Sequence, residues 1–136
     1  TPCGTLFPYT TLFRSVFIDS PDYDLFNPNC IRASTGAVFG LPIVRADPTT
    51  LRNWLADHHI TTIAATPQAK LTYLAMNLRG GTAFVVGAEA EGLDEFWLNA
   101  ADLTASVPMN GRTVDSLNVS ITAAVLLFEA MRQRTG

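Results

Sequence analysis

Two polar stretches interrupt the most apolar half of this chain, and their residue types are better suited to binding than to packing. The first is GAEAEG, residues 87–92. Its glycines are those of a tight ligand loop. It lacks the Lys-Ser/Thr ending of a phosphate-cradling loop and does not have the GxGxxG spacing. Neither nucleotide hydrolysis nor an ordinary dinucleotide site is therefore supported. The second is VPMNGRTVDSLNVSITAAVLLFE, residues 107–129, in which a loop of Asn, Gly, Arg, Thr, Asp and Ser opens directly into an apolar helix. No GxSxG elbow occurs anywhere, which removes the commonest serine-hydrolase chemistry.

Other chemically capable groups are explained more simply. His58 and His59 are adjacent, so on a helix they face different directions and suit a solvent-facing helix end. Asp19, Asp22 and Asp24 have no further ligands at calcium-loop spacing and read as a solvated turn. Cys3 and Cys30 form no CxxC pair and no metal spacing with the histidines, so free thiols in a reducing compartment and no bound metal are expected.

Composition bounds the rest. With 136 residues, 48% of them hydrophobic and 15% charged, the chain can bury a real core. No run reaches the ~18 apolar residues of a membrane span; the patch around 119–128 is interrupted by Ser120 and Thr122. The net charge of −3 argues against a surface-wide grip on phosphate, but not against a local basic site. Eight of the nine cations are Arg, the better fork for phosphate.

These groups need elements to hold them. SVFI (15–18), LPIV (41–44), ITTIAAT (60–66), TAFVVG (82–87) and LTASV (103–107) read as strands. NPNCIRASTGAVF (27–39) reads as a helix with Asn27 as N-cap and Pro28 at its first position. DPTTLRNWLADHH (47–59) repeats that signal, with Leu51, Trp54 and Leu55 on one stripe, and LDEFWLNAA (93–101) is a short amphipathic helix. The last helix is expected from about Leu117 to Gln133, with Leu117, Ile121, Ala124, Val125 and Phe128 as its main stripe. Val119, Leu126 and Leu127 cover its other sides, so both faces need covering, one of them by another subunit. Alternation of strand and helix predicts an α/β fold with a mostly parallel sheet and helices on its faces. Ligands in such folds bind beyond the carboxyl ends of strands, which is where 87–92 and 108–116 begin.

At this point the two loops become specific. VVGAEAEGL resembles the G-x-E-x-x-G motif of the SpoU/TrmH-type RNA 2′-O-ribose methyltransferases of the SPOUT superfamily. VPMNGRTVDSLNVSITAAVLLFE resembles their I-P-M-x-G…S-L-N-V-S-x-A motif, and NPNCIRASTGAVFGLPIV the segment preceding both. The resemblance covers about 16–136, and its last motif is highly specific. It implies a parallel α/β sheet ending in a trefoil knot, S-adenosylmethionine (SAM) as cofactor, an rRNA or tRNA substrate, homodimers packed through knot helices and a cytoplasmic enzyme. It implies cofactor contacts at Gly87, Val107, Pro108, Met109 and Leu117, and places Glu89, Ser116 and Asn118 at the catalytic site. Arg32 and Arg112 would approach RNA. On the residues alone, Ser116 suits the N-cap of the last helix and Asn118 its exposed first turn, where free N–H groups can meet polar ligand atoms. The plainer alternatives are a cap, a turn residue and, for Glu89, a solvated charge. Arg32 could equally make an ion pair.

The chain also departs from the family pattern. The family's first motif, N-x-G-x-x-x-R-x-A-x-A-F-G, whose Arg is associated with loss of the ribose 2′-proton, is not found. Its place is taken by TPCGTLFPYTTLFRS (1–15), where TLF occurs twice without period, and which reads as a non-native segment before a methyltransferase domain at 16–136. The expectation is a truncated enzyme; the alternative is a non-catalytic knotted dimerisation or RNA-binding module. RTVD, between Gly111 and Ser116, is also one residue longer than the family form.

Overall fold

A computed structural model of the chain describes residues 15–21, 24–87, 92–109 and 117–136. The chain divides into two compact units, Thr1–Leu51 and Arg52–Gly136.

In the first unit β1 (Val16–Ile18) pairs in parallel with β2 (Ile43–Arg45), with Val16 opposite Ile43. The connection carries α1 (Pro28–Ala33), started as its sequence dictates: Asn27 accepts a hydrogen bond from Asn29 N at 2.8 Å and Pro28 fills the first turn. The helix expected over 27–39 is shorter. Thr35 and Gly36 take left-handed backbone angles, φ 52° and 84°, and only a 3-10 turn at Ala37–Phe39 follows. The Gly after Ser-Thr was the local stop signal. Next comes α2 (Pro48–Asp57). Asp47 Oδ1 accepts from Thr50 N at 3.0 Å, and hydrogen bonds from Thr50 hold its carboxyl below the ordinary value. Leu51 and Leu55 are buried, as the stripe predicts. His58 and His59 are exposed at the helix end, His58 stacked on Trp54 with ring centres 4.1 Å apart.

The second unit is built on β3 (Thr61–Ala65), β4 (Thr82–Val85) and β5 (Leu103–Ala105), all parallel and ordered β4-β3-β5. Every strand pairing among the described residues is thus parallel, as expected of the α/β class. Central β3 is buried at Thr62, Ile63 and Ala64, and the Thr62 hydroxyl has no hydrogen-bond partner among the described residues. The crossover from β3 to β4 is a loop with a single 3-10 turn, Tyr73–Ala75. α3 (Glu95–Ala100), capped by Asp94, leads into β5. Asp102 fixes the start of that strand: it takes Arg52 Nη2 at 2.6 Å and Thr62 N at 2.8 Å, while Arg52 Nε donates to Ala100 O.

The core gathers Ile63, Met76, Leu78 and Ala105 around Ala130 of α4 (Val119–Thr135), with Tyr73 and Phe84 packed against it. The last helix therefore starts two residues later than expected and faces differently. Its buried positions are Leu126, Glu129 and Ala130, whereas Ile121 and Phe128 of the predicted stripe are 50% and 58% exposed. Polar bonds dictate the orientation. Gln133 accepts from Leu78 N at 2.8 Å and donates to Met76 O at 3.0 Å. Arg134 donates to Leu78 O and Gly80 O. These bonds satisfy backbone groups of 76–80, a stretch outside the strand ladders among the described residues. Among the described residues, no helix is long and apolar enough to cross a membrane.

Candidate functional site

The order β4-β3-β5 sets the carboxyl ends of three strands side by side. Val85 pairs with Ala64, and Ala105 with Ala65, so Gly87 and Val107 leave the sheet on either side of the end of β3. Both candidate loops thus start from one edge, as the sequence predicts.

Gly87 has no room for a side chain. A Cβ there would collide with the backbone carbonyl of Gly92 and with Leu93 N, and Gly92 has φ +70°. The first glycine of GAEAEG thus allows two backbones to touch, and the last adopts an angle that L-residues avoid. Together they form a clasp at the base of the loop. Glu89, inside it, lies outside the described residues.

The second loop is anchored by Ser106. Its N–H donates to Leu71 O at 2.9 Å, its carbonyl accepts from Tyr73 N at 3.0 Å, and it bridges Thr72 in parallel. This anchor has no signature in the sequence, because its partner segment lies far back in the chain. Val107 and Met109 are half-buried and Pro108 is exposed. Arg112 and Ser116 lie outside the described residues, as does the RTVD insertion.

Leu117 is half-buried and Asn118 exposed at the mouth of α4. Here the sequence reading is corrected: Asn118, not Ser116, is the N-cap. Its Oδ1 accepts from Ser120 N at 2.9 Å, and its carbonyl accepts from Thr122 N. Asn is among the best capping residues, and a helix opening at Val119 leaves Asn118 outside the first turn. Arg32, in the first unit, is exposed in the last turn of α1 and makes no ion pair among the described residues. Among those residues no cluster of His, Cys, Asp and Glu could hold a metal.

Fold and site together define a parallel α/β domain with two ligand-type loops leaving the carboxyl ends of β4 and β5, the two strands that flank β3. More narrowly, the chain belongs to the SpoU rRNA Methylase family, whose family model matches residues 9–128. It is 38% identical over 111 residues to a 23S rRNA (guanosine-2′-O-)-methyltransferase RlmB of Xylella fastidiosa, covering 80% of this chain and 44% of that protein. It is 32% identical over 117 residues to a 23S rRNA (uridine(2479)-2′-O)-methyltransferase of Streptomyces viridochromogenes, covering 82% and 40%. Among solved structures, an RNA 2′-O ribose methyltransferase superposes with a TM-score of 0.81 at 42% identity, covering 90% of this chain and 47% of that one. The methyltransferase AviRb of Streptomyces viridochromogenes, solved with AdoMet, superposes at 0.77 with 30% identity, covering 83% and 44%. The chain spans less than half the length of these relatives.

Proposed function

We propose that this chain carries the cofactor-binding and methyl-transfer part of an RNA 2′-O-ribose methyltransferase that acts on rRNA or tRNA with SAM. The observation that carries this reading is the Gly87–Gly92 clasp beside Val107, at the carboxyl edge of β4-β3-β5. It stands in a chain whose family model and AdoMet-bound structural relative point the same way.

The residues fit such a cofactor. Backbone groups at the ends of three parallel strands suit the polar edge of an adenosine, and half-buried Val107 and Leu117 suit its ring. SAM, when bound, would supply an electrophilic methyl group for a ribose 2′-hydroxyl. The protein's share is positioning, with Gly87, Val107, Pro108, Met109 and Leu117 holding the cofactor. Glu89, Ser116 and Asn118 orient the ribose hydroxyl and receive or steer its proton. Asn118 is prepared for this role, because the Ser120 N–H held by its Oδ1 fixes the direction of the amide. Arg32 and Arg112 meet RNA phosphate, and no metal is required.

We assign the loop 108–116 to the threaded segment of a trefoil knot, and the uncovered side of α4 to a homodimer. That side has an open hollow of about 510 Å³ lined by Tyr73, Ile121, Ala124, Val125 and Phe128 together with Ser120, Glu129 and Arg132. The site of action is the cytoplasm, where these RNAs are found.

Calorimetric titration of the chain with S-adenosylhomocysteine tests the reading. One-to-one binding is expected, and Gly87→Ala should abolish it while leaving the circular dichroism spectrum unchanged. A folded wild-type chain that ignores the ligand would leave a non-catalytic module as the answer.

A further inference from the structure

Residues 24–39 present a surface that the methyl-transfer reading leaves unexplained. Phe26 and Phe39 are each 65% exposed, and their rings stack with centroids 6.1 Å apart and planes 19° from parallel. The backbone around them is tied down. Asp24 Oδ1 accepts from Phe26 N at 3.0 Å, Asn27 caps α1, and Phe39 N donates to Gly36 O at 3.1 Å. Two hydrogen-bonded turns therefore hold the rings out to solvent. Between Asp24 and Arg45 the only charged residue is Arg32. It stands in the last turn of α1, between the two phenylalanines in sequence, and makes no ion pair among the described residues.

An aromatic face with one cation in the same segment is the minimal equipment for a single strand. Bases stack on such rings irrespective of sequence, and a guanidinium takes the neighbouring phosphate. Bases within a duplex cannot offer their faces in this way. We infer that the Phe26–Phe39 pair is a stacking platform for an unpaired nucleobase of the RNA substrate, with Arg32 holding the adjacent phosphate. The inference rests on the RNA-methylating reading and narrows its substrate to RNA that is single-stranded at this point.

The test is a fluorescence titration of the full chain with a short single-stranded oligoribonucleotide carrying a fluorescent purine analogue, and with the same strand annealed to its complement. The wild type should quench the analogue and prefer the single strand. Phe26→Leu, Phe39→Leu keeps apolar surface but removes the aromatic faces; it should lose the quenching and bind about 10- to 100-fold more weakly. Phe26→Trp, Phe39→Trp should retain both. Arg32→Gln should retain quenching and lower the salt dependence of binding by about one phosphate contact. Equal affinity for the duplex, or unchanged quenching in the leucine variant, would overturn the platform. So would a leucine variant that alters sedimentation and not RNA affinity, since a protein would then cover the rings. S-adenosylhomocysteine titration of every variant separates the two ideas: a chain that binds it but no RNA loses the platform and keeps the cofactor site.

Discussion

Leu126 and Phe128 lie two residues apart on α4 and have opposite fates: the first is fully buried, the second more than half exposed. Around Leu126 the helix is committed to its own unit, through Ala130 in the core and through the Gln133 and Arg134 bonds to 76–80. Around Phe128 and Ile121 a largely apolar surface, edged by Ser120, Glu129 and Arg132, stays exposed among the described residues. Hydrophobicity alone does not decide which side of such a helix enters the core; directional polar bonds from its last turns do. Apolar area is nearly interchangeable around the axis, whereas a glutamine paired with one N–H and one carbonyl is not.

The largest effect should come from breaking the committed side. Leu126→Ala should cost about 2–5 kcal/mol of unfolding free energy, read from denaturant midpoints. Phe128→Glu makes the matched test of the other side. The wild-type thermal midpoint should rise with protein concentration as a dimer's does, and this substitution should abolish the rise and halve the mass seen in sedimentation. An unchanged mass would remove α4 from the interface. The smallest effect concerns pH. Arg132 grips the Glu129 carboxylate at 2.8 and 2.7 Å, and Gln133 adds a third bond at 2.9 Å. Together they lower its pKa from 4.5 to about 2. Because the folded value lies below the unfolded one, this contribution is whole above pH 4.5 and fades as pH falls towards 2. Glu129→Gln should flatten the stability profile in that window, and an identical acid slope in the variant would argue that the triad contributes nothing.

Much of this arrangement was legible in the sequence because it rests on local rules. Asn27-Pro28 and Asp47-Pro48 announced their helices, and β-branched runs gave β3 and β4. The two glycines of GAEAEG marked a loop that the structure closes with a backbone contact. What stayed hidden depends on distant partners. The left-handed pair Thr35-Gly36 is a local exception: the Asn27-Pro28 start signal carries the helix reading past a glycine that ends it. Asn118 lost the N-cap position to Ser116, since both are good caps and only the helix start separates them. The facing of α4 followed hydrophobic period in the reading and Gln133 in the structure. The Ser106 anchor and the Arg52–Asp102–Thr62 link join segments with no shared local pattern.

The central place of β3 bears on how the molecule is made. Thr61 waits for Thr82 and Ile63 for Leu103, so the first strand of this sheet to leave the ribosome is the last to be enclosed. Throughout that interval its apolar residues and unsatisfied amides face solvent on both edges, the state from which chains associate wrongly. Every pairing it makes is non-local and parallel, which slows folding. Slow translation past Ala105, or a chaperone that shields 61–65 until β5 emerges, should therefore raise the yield of folded protein more than any single substitution on its surface.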